Sequence, residues 1–563
     1  MATLGVIFTD TAVLADKYRC PRQEVLEIIN GYMRGCANRG IEWQLVDVGG
    51  HDFDYIFSKG FSEEVSWEDY RQALADNCAG MGWQTDCNTP LFIIGGDDVI
   101  PVPIYPYFIP DDKGLNNVEA DILYCYPAGF DFKRELDRFD DAGYNKGALY
   151  DYFMSKAVFN VSRLPVERGD VNTSVQHDLG GYFERCLASE GEITVDKSLL
   201  PVTAFDWYFA TLKIIEDIPL LLPLGPINAC HMGDVFVSPA LDIDNPTALP
   251  DFISALGKTD MLLFQLHGSN EHENTGFMGQ GVVNGGGYPK AFDIGLLKYC
   301  NKTKVFNTLA CYGARYTVGY TDRYPEGKKY SRSESMLLSA IYGSQVLLYM
   351  GSCLSSWFTP LVLDTNTDVN DVKIIGRSDQ WAKTYLNLQL QGDSAGLAML
   401  KSKLLHYDEC GNERDFITRL TILEFNQFGD PTLSVRAPHY NPVQAQQPVK
   451  SLFRRKAEKV LPHKEAYVPV YTKKTLPELD AAYADVRASV DAALLSLSDD
   501  LRRMLADDYH YPSQHLFLSS ILREENSGSY LYVYAHENYS DSERRVYVRV
   551  DAACKVQNIT YRM

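Results

Sequence analysis

The sequence predicts an α/β fold built from two α/β units, followed by a smaller α+β domain. Short apolar runs, each stopped by small or polar residues, alternate with segments of helical periodicity through most of the chain. Such runs are typical of buried parallel strands, and their alternation with helices places helices on both faces of a sheet. A second series begins near residue 176, and the pattern changes again after a stretch rich in Pro and Gln.

Residues 1–175 form the first predicted unit. Its predicted strands are residues 4–9, 42–48, 91–94 and 157–161, and its predicted helices are residues 24–39 and 67–79. The first helix carries Val25, Ile28, Ile29 and Tyr32 on one face, which is the spacing of an amphipathic helix against a core. The Gly95-Gly96 pair belongs to neither a GxxxxGK[ST] nor a GxGxxG motif, so it does not indicate a phosphate-binding loop.

Residues 176–436 form the second predicted unit. Its predicted strands are residues 199–204, 226–230, 261–266, 304–309 and 345–351, and its predicted helices are residues 180–188, 333–342 and 393–407. The unit closes with the segment 425–433. Strands alternating with helices predict an open sheet, and such sheets bind ligands at the carboxyl ends of their parallel strands.

The pattern changes beyond this unit. Residues 437–465 are rich in Pro and Gln and are typical of a linker. Residues 466–563 predict a small α+β domain, with a helix at 476–505 and alternating strands at 530–534 and 545–550. This domain shows no catalytic pattern, and we expect it to pack on the main body or to bind a protein partner.

Composition argues against several classes of protein. The chain has 563 residues, of which 45% are hydrophobic and 23% charged, and its net charge is −21. An acidic chain is poorly suited to bind nucleic acid or an anionic membrane surface, because both would repel it. No apolar run approaches the roughly 20 residues that a membrane-spanning helix needs, and the N-terminus lacks the pattern of a signal peptide.

The twelve cysteines are scattered along the chain. They form no CxxC pair and no Cys/His cluster at zinc-ligand spacing. Several lie inside apolar runs, among them Cys125, Cys230 and Cys300. We therefore expect reduced thiols and a cytoplasmic location, and the sequence indicates no cofactor required for catalysis.

Two of the apolar runs end on residues suited to acyl transfer. Residues 261–266 lead into His267-Gly268, and residues 304–309 lead, after one alanine, into Cys311. The thiolate is the reactive form of cysteine, so a nucleophilic Cys needs a base beside it. Neighbouring strand ends would bring Cys311 and His267 into one cleft. Gly268 has no Cβ, so its N–H and that of Cys311 form a candidate oxyanion hole.

Two alternatives stay open at this point. His267 and Cys311 can be ordinary strand-end residues, because a lone buried cysteine is usually inert packing. The paired pattern favours the catalytic interpretation. An α/β hydrolase or acyltransferase would carry a GxSxG or GxCxG elbow, and the segment Leu309-Ala310-Cys311-Tyr312-Gly313 lacks the leading glycine.

Further motifs accompany the His-Gly and Ala-Cys pair. In chain order they are Ile-Gly-Gly-Asp-Asp-Val-Ile-Pro at 94–101, Ala-Asp-Ile-Leu-Tyr at 120–124, Val-Ser-Arg-Leu-Pro-Val at 161–166 and Phe-Gly-Asp-Pro-Thr-Leu at 428–433. Together they resemble the gingipain family of cysteine peptidases, within the caspase-like clan. The resemblance covers about residues 90–436; residues 1–90 match only in pattern, and the tail after residue 440 lies outside it.

The resemblance implies two caspase-like subdomains side by side, with mostly parallel sheets and the catalytic pair in the second. It implies a cysteine endopeptidase in which Cys311 is the nucleophile and His267 the general acid–base. The spacing of 44 residues (311 − 267) is longer than the family leads us to expect, with the extra length in a Gly-rich loop at 279–287. Family members carry an acid behind the histidine, which assigns this orienting role to Asp206.

The resemblance also implies a pocket for Arg or Lys at P1, the substrate residue before the cleaved bond. An acid a short way past the orienting residue would bind the cation, which points to Asp217 or Glu216. Trp357 would line the same pocket. A carboxylate facing Arg or Lys forms a charge-assisted hydrogen bond. The other interpretation of Asp217 is a solvated charge at a helix end, and that of Trp357 is a core residue.

Family members often bind structural calcium, and Asp97, Asp98 and Asp121 are candidate oxygen ligands. The chain contains no EF-hand-like spacing to support them. The expected partner of the second unit is a polypeptide substrate. The alternative function is a caspase-like binding or scaffold protein without turnover, although the presence of both catalytic residues favours the enzyme.

Overall fold

The computed structural model of the chain describes residues 2–50, 66–109, 114–141, 147–166, 173–204, 207–224, 231–232, 234–238, 241–244, 249–268, 275–279, 288–318, 328–354, 356, 377–410, 416–438, 440, 467–471, 516–524, 530–536, 545–550 and 556–562. The strands are β1 (Thr3–Thr9), β2 (Ile41–Asp47), β3 (Pro90–Ile94), β4 (Ile104–Ile109), β5 (Gly114–Glu119), β6 (Asn160–Leu164), β7 (Glu192–Thr194), β8 (Leu199–Ala204), β9 (His231–Met232), β10 (Val235–Ser238), β11 (Met261–Gln265), β12 (Gly276–Met278), β13 (Lys290–Asp293), β14 (Val305–Thr308), β15 (Thr317–Val318), β16 (Lys328–Lys329), β17 (Leu348–Ser352), β18 (Phe425–Gly429), β19 (Ser434–Arg436), β20 (Tyr467–Tyr471), β21 (Leu516–Glu524), β22 (Tyr530–His536), β23 (Arg545–Val550) and β24 (Val556–Arg562). The α-helices are α1 (Thr11–Tyr18), α2 (Arg22–Ala37), α3 (Trp67–Gly80), α4 (Phe132–Asp141), α5 (Ala148–Lys156), α6 (Gly181–Ala188), α7 (Tyr208–Ile215), α8 (Leu249–Leu256), α9 (Met336–Gly343), α10 (Arg377–Leu390), α11 (Ala395–Glu409) and α12 (Phe416–Glu424).

One large sheet runs through both predicted units. Its eleven strands lie in the order β2-β1-β3-β6-β18-β17-β14-β11-β8-β10-β9. Neighbouring strands are parallel except at β17–β18 and at β9–β10. The α/β class with a mostly parallel sheet is therefore confirmed, and the two units share this one sheet.

The two units meet at β6 and β18. Strand β18 is parallel to β6 and antiparallel to β17, so the strands of the first unit run opposite to β14 and β11. Ser162 lies at this junction and its hydroxyl is 2.7 Å from the Gly429 carbonyl oxygen, to which it donates. The carboxyl ends of β1, β3 and β6 consequently lie at the edge of the sheet opposite to the carboxyl ends of β11 and β14.

The inner strands are buried along their whole length. Every residue of β3, β6, β8, β11, β14 and β17 is buried. Strands covered on both faces favour apolar side chains on both, which explains the largely apolar runs of β3, β8 and β11. Strand β6 instead buries Asn160, Ser162 and Arg163, whose side chains form hydrogen bonds to other parts of the protein.

The structure contains elements that the sequence did not predict. They include the helices α1, α4, α5, α7, α8, α10 and α12 and the hairpins β4–β5 and β12–β13. Helix α10 buries Ser378, Asp379 and Gln389 in hydrogen bonds to other elements, so its hydrophobic periodicity is weak. The predicted strand at 226–230 lies outside the described residues.

The described residues after 466 form a five-stranded antiparallel sheet in the order β20-β21-β22-β23-β24. The predicted strand pair is confirmed as β22 and β23. The predicted helix at 476–505 and most of the predicted linker lie outside the described residues. Within the part of the chain that is described, no helix combines the length and the apolar character that crossing a bilayer requires.

Candidate active site

His267 and Cys311 lie at the same level of two adjacent strands. Strands β11 and β14 are parallel, and their last paired residues are Phe264 and Thr308. His267 comes three residues after Phe264 (267 − 264), and Cys311 comes three residues after Thr308 (311 − 308). The Leu309 N–H donates to the Phe264 carbonyl at 2.7 Å, which keeps the two chains in register beyond β14.

The segment after His267 packs against the backbone of Cys311. A Cβ atom on Gly268 would lie 1.6 Å from the Cys311 carbonyl oxygen and 3.3 Å from the Cys311 nitrogen, so only glycine fits. In the described part of the chain, the Gly268 N–H donates to no hydrogen-bond acceptor. The structure therefore brings together the two residues whose N–H groups form the candidate oxyanion hole.

Cys311 differs from most of the described cysteines in its exposure. It is one of three that are partly exposed, whereas seven are buried. Burial raises the pKa of Cys125 and of Cys300 to about 12, because an apolar environment disfavours the thiolate, and this makes them unreactive. The Cys311 thiol is 3.4 Å from the Ser356 carbonyl oxygen, to which it donates. Cys311 as a residue is thus less enclosed than the buried cysteines.

The chain turns sharply after Cys311. Tyr312 has a φ of 55°, in the left-handed region that bulky residues adopt only when surrounding contacts hold them there. The Tyr312 N–H donates to the Leu354 carbonyl at 2.7 Å, and the Gly313 N–H donates to the Ala310 carbonyl at 3.0 Å. These bonds fix the backbone that carries Cys311.

Backbone pairing and two aromatic rings fix His267. Its N–H donates to the Met278 carbonyl and its carbonyl accepts from the Met278 N–H, both at 2.8 Å. The imidazole centroid lies 4.4 Å from the Trp207 ring and 5.1 Å from the Tyr288 ring. Trp207 follows β8, the other neighbour of β11, so the ends of three adjacent strands contribute to the site.

A buried polar network lies next to His267 in the sequence, at Gln265. The Gln265 side-chain oxygen accepts from Thr211 Oγ1 at 2.6 Å, and its nitrogen donates to Asp379 Oδ1 at 2.6 Å. Burial raises the pKa of Asp379 to about 8, and its Oδ2 has no hydrogen-bond partner among the described residues. The network ties α7 and α10 to the strand that carries His267.

Asp206, the predicted orienting acid, and Trp357, predicted to line the P1 pocket, lie outside the described residues. Trp207 immediately follows Asp206 and contacts the imidazole of His267. The segment after β8 therefore reaches the candidate active site, and the assignment of Asp206 stays a prediction.

Glu216 and Asp217 follow the last residue of α7. This helix starts at the carboxyl edge of the sheet, beside His267, and runs back towards the opposite edge. Leu221 then pairs with Leu199, the first residue of β8. The structure consequently does not bring the two predicted P1-binding acids together with His267 and Cys311.

Both of these acids have cationic partners. Lys383 Nζ of α10 lies 2.6 Å from Glu216 and 3.2 Å from Asp217, and Lys213 Nζ lies 2.9 Å from Glu216. Partial burial by itself raises the pKa of Glu216, but the hydrogen bonds from Lys383 and Lys213 outweigh it and lower that pKa. The observed role of these carboxylates is to join α7 to α10.

The three candidate calcium ligands have partners within the protein. Asp121 accepts from Arg163 Nη2 at 2.7 Å, Asp98 pairs with Lys17 at 2.7 Å, and Asp97 accepts from a backbone N–H of its own loop at 2.9 Å. The side chain of Arg163 is fully buried, and its positive charge would repel a divalent cation at Asp121. Among the described residues, no group of three or more His, Cys, Asp or Glu side chains can hold a metal ion. These acids therefore do not fit a calcium site.

Trp207, Tyr288 and Asp379 are neighbours of the site that were not predicted from the sequence. Trp207 had one signal in the sequence, its position directly after a predicted strand end. Tyr288 lies just beyond the Gly-rich loop that lengthens the spacing between His267 and Cys311. Asp379 had no signal, because its contact with Gln265 joins residues 114 positions apart.

No family model matches the chain, and no curated protein matches it. The resemblance to the gingipain family therefore rests on the motifs in the sequence. The geometry around His267 and Cys311 is a separate line of argument for function.

Proposed function

We propose that the chain is a cysteine endopeptidase that hydrolyses peptide bonds through Cys311 and His267. The observation that carries the proposal is the register of β11 and β14, which sets the two residues side by side at the carboxyl edge of the sheet. The contact of Gly268 with the Cys311 backbone and the partial exposure of the residue Cys311 support it further.

The reaction would proceed by acyl transfer. His267 accepts the thiol proton, and the sulfur of Cys311 attacks the scissile carbonyl carbon. The N–H groups of Gly268 and Cys311 donate to the oxyanion of the tetrahedral intermediate. His267 then protonates the leaving amine as the C–N bond breaks, and a thioester forms. Water, deprotonated by His267, attacks the thioester and releases the acid product with the free thiol.

The caspase-like arrangement of two subdomains belongs to the same proposal. Strands β2, β1, β3 and β6 come from residues 1–175, and β18, β17, β14, β11, β8, β10 and β9 come from residues 176–436. Each predicted unit thus contributes one continuous block of the sheet, and the candidate catalytic pair lies in the second block. This division supports the resemblance, which also implies Arg or Lys at P1.

Covalent labelling would test the chemistry. A peptidyl acyloxymethyl ketone with Arg or Lys at P1 should add one mass equivalent to Cys311, located by peptide mapping. His267→Ala should slow this labelling by roughly 10²-fold or more, because a general base contributes about that much. Cleavage of a positional-scanning peptide library would then give the P1 preference.

Cys20 is a suitable control. It is also partly exposed, but burial and the nearby Glu24 raise the pKa of its thiol, which disfavours the thiolate. Cys20→Ala should leave labelling and peptide cleavage unchanged, while Cys311→Ala should abolish both. Labelling of Cys20 in preference to Cys311, or peptide cleavage that persists in Cys311→Ala, would refute the proposal.

A further inference from the structure

The hairpin β12–β13 is anchored beside His267. It lies between β11 and β14 in the sequence, and its strands pair antiparallel. Phe277 and Phe292 of the hairpin are buried, with ring centroids 5.7 Å and 4.8 Å from the Phe264 ring of β11. Met278 forms the two backbone hydrogen bonds with His267. Core packing and backbone bonds thus fix this hairpin relative to the imidazole.

The hairpin packs on β11 and β14 and also reaches the end of β10. The rings of Phe277 and Phe292 are 6.4 Å and 6.0 Å from the ring of Phe306 in β14. The Lys290 carbonyl of the hairpin accepts from the Ile243 N–H at 2.8 Å, beyond the end of β10. A Cβ atom on Gly279 would lie 1.6 Å from the hydroxyl of Ser238, the last residue of β10. In the sheet, β11 has β8 and then β10 on one side, and it has β14 on the other side.

Tyr288 places an exposed aromatic ring at this position. Its side chain is 36% exposed, and Met81 is the other large hydrophobic residue that the described part of the chain exposes to this degree. The next residue, Pro289, accepts a hydrogen bond from the Gly279 N–H at 2.7 Å, which holds the backbone at Tyr288. Tyr288 therefore contacts the imidazole and is partly exposed to solvent.

We propose that Tyr288 forms the wall of the subsite for P1′, the substrate residue after the cleaved bond, and that it favours an apolar or aromatic side chain there. This inference rests on the proposed peptidase function. His267 must protonate the leaving amine, so the leaving segment passes on the imidazole side of the thiol. Tyr288 contacts the imidazole, and the hairpin that it adjoins reaches the end of β10, which lies on the side of β11 opposite to β14. An aromatic face there would pack against an apolar P1′ side chain.

The test is a set of internally quenched peptides that differ only at P1′. Wild-type enzyme should cleave the Phe peptide with a kcat/KM roughly 3- to 10-fold above that of the Gly peptide, the range expected for one aromatic contact. Tyr288→Ala should bring this ratio close to one, and Tyr288→Phe should retain it. Met81→Ala, which removes an exposed hydrophobic side chain elsewhere, should change neither the rate nor the ratio.

The outcomes separate the two proposals. Two results would refute the proposed subsite but not the proposed peptidase function. One is a wild-type enzyme that cleaves the Phe and Gly peptides with equal kcat/KM. The other is a Tyr288→Ala enzyme that cleaves both peptides more slowly by the same factor, so that the Phe-to-Gly ratio of kcat/KM is unchanged. If no peptide is cleaved and an acyloxymethyl ketone does not label Cys311, both the proposed peptidase function and the proposed P1′ subsite are refuted. Thermal unfolding of each variant would show whether it is folded.

Discussion

Adding one methyl group to Gly268 would test whether the close packing between the two candidate catalytic segments matters for catalysis. The Cβ atom of Gly268→Ala would lie 1.6 Å from the Cys311 carbonyl oxygen. Real Cβ contacts do not fall below 3.0 Å, so one of the two segments must move by about 1.4 Å (3.0 − 1.6). The obstacle is backbone rather than a flexible side chain, so the shift displaces the backbone of Cys311 or of the His267–Gly268 segment.

The size of the effect follows from this displacement. Misplacing reacting groups by about 1 Å costs roughly 10²-fold in rate. We therefore expect kcat/KM to fall by about 10²-fold or more, which corresponds to about 3 kcal/mol of transition-state stabilisation. The rate at which iodoacetamide alkylates Cys311 should change as well, because the His267 base shifts relative to the thiol.

Gly343→Ala is the matched control. Gly343 ends α9, and a Cβ atom there would meet nothing within 4 Å. Peptide cleavage and thermal unfolding of this variant should equal those of the wild type. A folded Gly268→Ala enzyme with wild-type kcat/KM would refute the inferred contact between Gly268 and Cys311, and with it the assignment of these two N–H groups to one oxyanion hole.

Three further substitutions test other parts of the structure. Arg163→Met leaves Asp121 charged and unpaired in the core, so the free energy of unfolding in urea should fall by roughly 3–5 kcal/mol, and an unchanged value would contradict the buried ion pair. Burial raises the pKa of Asp379 from 3.8 to about 8, so the folded protein holds a proton that the unfolded chain releases, and stability falls as pH rises between those values. Asp379→Asn cannot ionise and should flatten this part of the pH–stability curve, by up to about 6 kcal/mol; a curve that matches the wild type would show that Asp379 is not protonated in the folded state. Asp217→Asn should leave the P1 preference in a peptide library unchanged, because Asp217 pairs with Lys383 away from the site. A selective loss of cleavage after Arg and Lys in this variant would instead show that Asp217 binds the P1 side chain.

The strands that carry the site could be predicted because their burial has a local signature. A strand covered on both faces is largely apolar, and Met261–Gln265 and Val305–Thr308 match the predicted runs to within two residues. His267 and Cys311 stand out because each interrupts such a run at its end. Helix α10 was missed for the converse reason, since its buried face includes polar side chains whose partners lie on distant strands.

The sequence by itself determined the α/β class, the two apolar strands that carry the site and the identity of the two candidate catalytic residues, because burial and side-chain chemistry are properties of short segments. Only the tertiary structure decided that β11 and β14 are neighbours in register, that β18 joins the two units into one sheet, and that Trp207 and Tyr288 contact the imidazole. It also placed Glu216 and Asp217 against Lys383 rather than near Cys311. These outcomes depend on contacts between residues far apart in the chain, and no local pattern of residues encodes which distant segment will pack against it.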